Sequence, residues 1–414
     1  MNKLIANSII GMLATLGVLL CAVPAQAANF TWCINMAVNY SDTDIGEDLL
    51  LDVQGNPLGR FLTVRLSREN GTKTWGVVNL DALGCYSFSD TTNGPFRLEV
   101  QSRAKVVRTD DWDVTNTLEI RNSAGDLAEW TFIWTFPAAG GNHSSTLAQT
   151  RRTNLLAAGI HALFRFSDGL TGKTITIHDD ECPGYATPTS CASGNGGTAA
   201  EVWILPGHDQ KKFLLAHEIG HAVQWLWFNF NQPGDYDIND GGADCEWSNP
   251  ENLAIRLHAL HTKEHSSIAF TEGFAQYYST FAYNVPSTVG WFHYYKDDYK
   301  NPPGVTTVNM ENGPTGGDTA YLENVCTNDV QGKAGMGVEL DWARQLWDYR
   351  TQAGTQPTHY QLMRQMKNGF QSGAWSQSNT WSRSEAGVEQ YDDDNGTLFA
   401  DRWHDLGVAN GIDH

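Results

Sequence analysis

The chain has 414 residues, a formal net charge of −20 at pH 7, 41% hydrophobic residues and 11% aromatic residues. A chain of this length and composition can bury one large core or two smaller ones, which excludes an intrinsically disordered protein. Its negative charge repels nucleic acid and anionic membrane surfaces, so we expect neither as a partner.

The N-terminus has the pattern of a secretory signal peptide. One basic residue, Lys3, precedes an apolar run over residues 9–23 that is too short to span a bilayer comfortably. Ala-Gln-Ala follows at positions 25–27, with small residues where a signal peptidase cleaves. We therefore expect residues 1–27 to be removed and the rest to be secreted or periplasmic, with no membrane-spanning segment.

Of the seven cysteines, Cys21 alone lies in this N-terminal segment. The other six form an even set in a protein predicted to leave the cytosol, so disulfide bonds are the default, with free buried thiols as the alternative. Proximity along the chain favours three pairs. They are Cys33 with Cys85, Cys182 with Cys191, and Cys245 with Cys326.

Residues 28–137 show the pattern of an all-β accessory domain, in which runs of β-branched and aromatic residues alternate with turn signals. The predicted strands cover residues 62–66, 75–78, 96–100 and 130–136. Their spacing is typical of a β-sandwich. Pro-Ala-Ala-Gly-Gly-Asn at residues 137–142 is the predicted linker to a second domain.

From residue 143 onward the periodicity indicates mixed helices and strands, which predicts an α+β domain over residues 143–414. Strands are expected at residues 174–177 and 201–205. Helices are expected at residues 147–166, 211–228, 268–283, 338–349 and 360–367. The whole chain is therefore predicted to be an α+β protein with an N-terminal sandwich-like domain.

The predicted helix over residues 211–228 contains His-Glu-Ile-Gly-His at positions 217–221. Histidines four residues apart lie on one helical face, so the imidazoles of His217 and His221 can bind one tetrahedral zinc ion. Glu218 is rotated by about 100° from His217 and can act as a general base beside the ion. The alternative is a chance motif with two ordinary core histidines.

A catalytic zinc ion needs a third protein ligand and one open position. Glu272 is the main candidate because it is a lone carboxylate in an apolar, aromatic predicted helix, where burial without a partner is costly. His258, His261 and His265 are the alternatives. Their irregular polar surroundings favour solvated residues or residues at the rim of the site.

In these features the chain resembles the gluzincins, zinc peptidases of the thermolysin and neprilysin type, in which a downstream helix supplies a glutamate as third ligand. The resemblance covers roughly residues 201–283 and implies a zinc-dependent peptidase with the ligands and base named above. In that family an aspartate one turn after the glutamate orients a histidine. This chain has Gln276 there, whose carbonyl can accept an imidazole proton. The strand before the motif can pair with an extended peptide or protein substrate.

An acidic stretch between the motif and Glu272 has the spacing of a calcium-binding loop. Asp235, Asp237, Asn239 and Glu246 provide oxygen ligands at intervals that suit Ca²⁺. A solvated acidic turn is the alternative, because the glycine that the pattern requires is missing from its usual position.

Two other functions are compatible with the motif. The first is a catalytically silent, zinc-containing binding or adhesion protein, against which Glu218 argues because only catalysis needs a carboxylate at that place. The second is a zinc hydrolase of non-peptide substrates, which has the same ligands and base and differs only in what it cleaves.

Overall fold

The computed structural model describes residues 26–41, 57–108, 114–165, 170–184, 188–195, 197–229, 231, 266–284, 293–294, 308–309, 337, 339–376 and 378–412. Several predictions lie outside the described residues: residues 1–25 of the signal peptide, the Cys245 to Cys326 bond, the calcium ligands Asp235, Asp237, Asn239 and Glu246, and the alternative zinc ligands His258, His261 and His265. In the described part of the chain, no helix has the length and apolar character needed to cross a bilayer.

The N-terminal part is built of strands. They are β1 (Ala28–Met36), β2 (Leu62–Arg68), β3 (Thr74–Asn79), β4 (Cys85–Asp90), β5 (Phe96–Arg108), β6 (Val114–Arg121), β7 (Glu129–Trp134) and β8 (Gly141–Leu147). The four predicted strands correspond to β2, β3, β5 and β7 and are confirmed. The other four strands were not among those predicted: β4, β6 and β8 are rich in polar and small residues, whereas β1 has the alternating buried residues Phe30, Trp32 and Ile34 and was missed.

Two sheets face each other across an aromatic core. Strands β4, β1 and β8 form the smaller sheet, and β5 and its neighbours belong to the larger one. Phe30 of β1 and Phe88 of β4 lie 5.5 Å and 5.0 Å, between ring centroids, from Phe96 of β5. These buried contacts hold the smaller sheet on the larger one.

The remaining elements alternate between strands and helices. They are α1 (Arg151–Arg165), β9 (Thr174–His178), β10 (Cys191–Asn195), β11 (Ala199–Trp203), α2 (Lys212–Trp227), α3 (Ser266–Tyr283), β12 (His293–Tyr294), β13 (Val308–Asn309), α4 (Glu339–Thr351), α5 (His359–Phe370), α6 (Thr380–Asn395) and α7 (Ala400–Ala409). The predicted helices correspond to α1 to α5 and the predicted strands to β9 and β11. The chain is thus a mixed α+β protein.

The larger sheet runs across the predicted domain boundary. Its order is β10-β11-β9-β6-β5-β2-β3, with β7 also paired to β5. Strand β9 pairs in parallel with β6, from Thr117 opposite Thr174 to Arg121 opposite His178. The division into residues 28–137 and 143–414 therefore does not coincide with a break in the sheet.

The predicted linker at residues 137–142 is a tight turn that leads into β8. The Gly140 amide donates to the Pro137 carbonyl oxygen at 3.0 Å, and Gly140 has a φ of 91°. A side chain there would also collide with β1, because its Cβ would lie 2.3 Å from the Asn29 carbonyl oxygen. The proline and glycines thus meet the needs of a turn.

Two of the predicted disulfide bonds are present and confirmed. Cys33 and Cys85 are bonded and lie directly opposite each other on β1 and β4. Cys182 and Cys191 are bonded across the loop that precedes β10. The second bond therefore fixes the start of the strand at one end of the larger sheet.

His161 joins α1 to the end of α3, since its Nε2–H donates to the Ala282 carbonyl oxygen at 2.9 Å. Burial lowers the pKa of His161 to about 3, and the nearby cations Arg165, Arg60 and Lys212 act in the same direction. The hydrogen bond to Ala282 opposes this shift but does not outweigh it. The imidazole is therefore neutral throughout the physiological pH range.

We expect the free energy of unfolding to fall as the pH drops from about 6.5 to about 3, because the unfolded chain protonates His161 before the folded chain does. Above about pH 6.5, His161 is neutral in both the folded and the unfolded chain, and the free energy of unfolding no longer depends on its protonation. At about 1.4 kcal/mol per pH unit, the loss between pH 7 and pH 4.5 is about 3 kcal/mol. Urea unfolding at both pH values should show a smaller difference in His161→Phe than in the wild type.

The control is His404→Phe, which removes an exposed histidine paired with Glu385. Because exposed ion pairs contribute about 0–1 kcal/mol, it should change the pH dependence by less than His161→Phe does. An equal pH dependence in His161→Phe and the wild type would contradict the assignment to His161.

Candidate metal centre

The two motif histidines and Glu272 meet between α2 and α3. The Nε2 atoms of His217 and His221 are 3.1 Å apart, and each lies 3.2 Å from Oε2 of Glu272. All three side chains are buried. Within the part of the chain that the structure describes, they are the one cluster of histidine, cysteine or acidic side chains with its ligand atoms gathered closely enough to hold a metal ion.

The spacing of these three atoms suits a tetrahedral zinc ion. With zinc–ligand bonds of about 2.0–2.2 Å, neighbouring ligand atoms lie about 3.3–3.6 Å apart. The observed 3.1–3.2 Å is close to this value. The donor set, two imidazole nitrogens and one carboxylate oxygen, is also one that zinc accepts in catalytic sites.

With Glu272 ionised, hydrogen bonds alone do not account for the triangle. If both Nε2 atoms carried hydrogens, two donors would face each other at 3.1 Å. If either Nε2 lacked its hydrogen, a lone pair would face the Glu272 carboxylate oxygen at 3.2 Å. A cation between the three atoms removes both conflicts, so we conclude that the residues fit a metal ion.

Glu218 is buried in α2 beside the first histidine, with 7% of its surface exposed. Its carboxylate does not belong to the cluster of three ligand atoms. Helical geometry places its side chain about 100° around the axis from His217. It therefore adjoins the ligands without being one of them.

Gly220, between the motif residues, sets the distance from α2 to α3. A Cβ on residue 220 would lie 2.9 Å from the Tyr278 Cβ and 3.0 Å from the Ala275 Cα, both tighter than ordinary Cβ contacts. The absence of a side chain allows the two backbones to approach. This approach brings Glu272 within reach of both histidines.

Replacing Gly220 by alanine should separate α2 from α3 and weaken zinc binding by about tenfold or more. The added methyl group should lower the free energy of unfolding by about 1–3 kcal/mol through overpacking. The higher helix propensity of alanine should restore about 1 kcal/mol of this loss. Zinc affinity and thermal unfolding of the metal-free protein test this. The control is Gly369→Ala in α5, where a Cβ would lie 2.3 Å from the Arg383 carbonyl oxygen.

Both variants should lose stability, but Gly220→Ala alone should lose zinc affinity. Equal zinc affinities in the two variants would show that the α2–α3 distance does not control the site.

On its other side α3 packs closely on α4. A Cβ on Gly273 would lie 2.6 Å from the Trp342 Cβ. Beside it, Nε2 of Gln276 donates to Oε2 of the buried Glu339 at 3.3 Å. Glu339 lies in the first turn of α4, where the helix dipole favours a carboxylate. The glutamine thus ties the helix that carries Glu272 to α4.

The role predicted for Gln276 was acceptance of an imidazole proton from a zinc ligand. Among the described residues, its Oε1 accepts no hydrogen bond, and its amide nitrogen contacts Glu339 instead of a histidine. Gln276 therefore holds α3 in place.

Gly220, Gly273 and Glu339 were not predicted, although glycines inside two apolar helices are a signal of close helix packing.

The strand before the motif, β11, is not at the edge of the sheet. It pairs with β9 on one side and with β10 on the other, so its backbone is not open to a substrate strand. Strand β10 ends the sheet order in the described residues, and α2 packs against both β10 and β11. The edge close to the motif helix therefore belongs to β10.

No protein-family model matches the chain, and a comparison with curated proteins found no match. The functional interpretation therefore depends on the arrangement of residues described above.

Proposed function

We propose that the protein is an exported, zinc-dependent hydrolase of peptide bonds. The observation that carries the proposal is the convergence of His217, His221 and Glu272 on one point, with 3.1–3.2 Å between their ligand atoms. Three protein ligands leave the fourth position of a tetrahedral zinc ion open, which is typical of catalytic rather than structural sites.

A zinc ion held there would polarise the scissile carbonyl and acidify a water molecule. In this proposal the Glu218 carboxylate accepts the proton of the attacking water and delivers it to the leaving amine. Because Glu218 is buried, few competing waters reach it. This division of roles gives a reason for the glutamate in the motif.

Two further features support an exported peptidase. The disulfide bonds Cys33–Cys85 and Cys182–Cys191 are stable in an oxidising compartment. Among the described residues β10 has a strand partner on one side only, beside α2, and an extended peptide can add to such an edge as a further strand. A peptide substrate uses that edge, whereas a small non-peptide substrate does not.

The test measures metal content and hydrolysis together on the purified full chain. Zinc at about one ion per chain, cleavage of a broad panel of quenched peptides, loss of cleavage with a chelator and recovery with zinc are the expected results. Zinc binding without any hydrolysis would favour the binding or adhesion protein. Hydrolysis of esters but of no peptide would favour the hydrolase of non-peptide substrates.

A further inference from the structure

Helix α2 is exposed along one row of side chains only. Of its residues Lys212–Trp227, all are buried except Leu214 and Trp225, which are partly exposed. Leu214, Glu218, His221 and Trp225 follow each other at intervals of about one helical turn, so they share one face. The exposed ends of this row therefore flank the base and a zinc ligand.

The other faces of α2 are covered. Helices α1 and α3 and strands β10 and β11 pack against it. A substrate that reaches Glu218 and His221 therefore approaches along the row and meets Leu214 at one end and Trp225 at the other. Both of these side chains are apolar.

The ring of Trp225 lies beside a zinc ligand. Helical side chains lean toward the N-terminus of their helix, so Trp225 extends back over the turn that carries His221. The centroids of the two rings are 6.3 Å apart, and their planes are inclined by 26°. By contrast, Trp227 and Phe228, which follow directly, are buried in the core.

We propose that Trp225 determines substrate specificity, because its ring forms an apolar wall against the substrate side chain next to the scissile bond. The site then prefers a large apolar or aromatic residue at that place, and Leu214 provides the shorter wall at the other end. The inference rests on the proposed peptidase function. Differences in apolar contact of this size change kcat/KM by roughly 10- to 100-fold.

The test uses two series of internally quenched peptides, each with Phe, Leu, Ala or Gly at one position on either side of the cleaved bond. The wild type should prefer Phe and Leu over Gly by at least about tenfold in one series. Trp225→Ala should lose most of this preference, with a higher KM for the Phe peptide and little change for the Gly peptide. The zinc content and melting temperature of Trp225→Ala should match those of the wild type.

The matched control is Trp134→Ala, which removes a tryptophan on β7 with 43% of its surface exposed. It should leave the preference unchanged. A second measurement does not depend on turnover: in the Glu218→Gln background, calorimetry should show tighter binding of the Phe peptide than of the Gly peptide. Trp225→Ala should remove that difference as well.

Three results would overturn the inference about Trp225, and only one of them would also reject the proposed peptidase function. Cleavage without an apolar preference, or an equal preference in Trp225→Ala and the wild type, rejects the role of Trp225 and leaves the peptidase function intact. Absence of cleavage by the zinc-loaded wild type rejects both.

Discussion

Glu218→Gln should reduce peptide hydrolysis by about 10²- to 10⁴-fold, the usual contribution of a positioned general base. The amide has the size of the carboxylate but cannot accept the proton of the attacking water. Zinc content should stay at about one ion per chain, because the ligand atoms come from other side chains. Initial rates on quenched peptides and metal analysis of the same preparations measure both effects.

The control for this variant is Glu99→Gln. Glu99 lies on β5, where Arg65 and Arg97 are 3.8 Å and 3.6 Å away, and exposed ion pairs of this kind contribute about 0–1 kcal/mol. Activity should therefore be unchanged. If Glu218→Gln kept wild-type activity, the base would be another group, and if it lost zinc, Glu218 would be needed to hold the metal.

Glu272→Ala should lower zinc affinity by more than about 100-fold, because changes outside the ligand set already cost about 10- to 100-fold. The change removes the anionic member of the triangle and leaves two buried histidines. Competition with a chelator of known affinity measures the loss. Glu385→Ala, which removes the carboxylate 3.1 Å from the exposed His404, is the control for loss of a histidine–carboxylate pair.

A variant with alanine at His258, His261 and His265 separates the two hypotheses for the third ligand. It should keep the affinity of the wild type for zinc. If it lost zinc while Glu272→Ala retained it, the third ligand would come from the segment between α2 and α3.

The parts of the site that depend on local geometry could be predicted from the sequence. The spacing of His217, Glu218 and His221 on one helix determines which side chains share a face. The bounds of α2 and α3 follow from their apolar composition. Two disulfide pairs follow from pairing each cysteine with the next one along the chain.

The remaining features depend on contacts between distant segments. Glu272 was predicted as a ligand from its apolar helix and from the family resemblance, but its distance from the histidines depends on the packing of α3 on α2 at Gly220, which was not predicted from the sequence. The parallel pairing of β9 with β6 is also non-local, whereas β10 and β11 are consecutive strands that pair antiparallel. A turn and a flexible linker contain the same prolines and glycines, and at residues 137–142 the chain passes from β7 of the larger sheet to β8 of the smaller one.

The shared ladder of β6 and β9 joins the N-terminal strands to the part of the chain that carries the candidate metal centre. Helix α1 packs on β5 and β6, and α2 in turn packs on α1. The N-terminal strands thus support α2 indirectly, through α1. A relative that had lost residues 28–137 would have to replace this support, and so the two parts are expected to evolve as one unit.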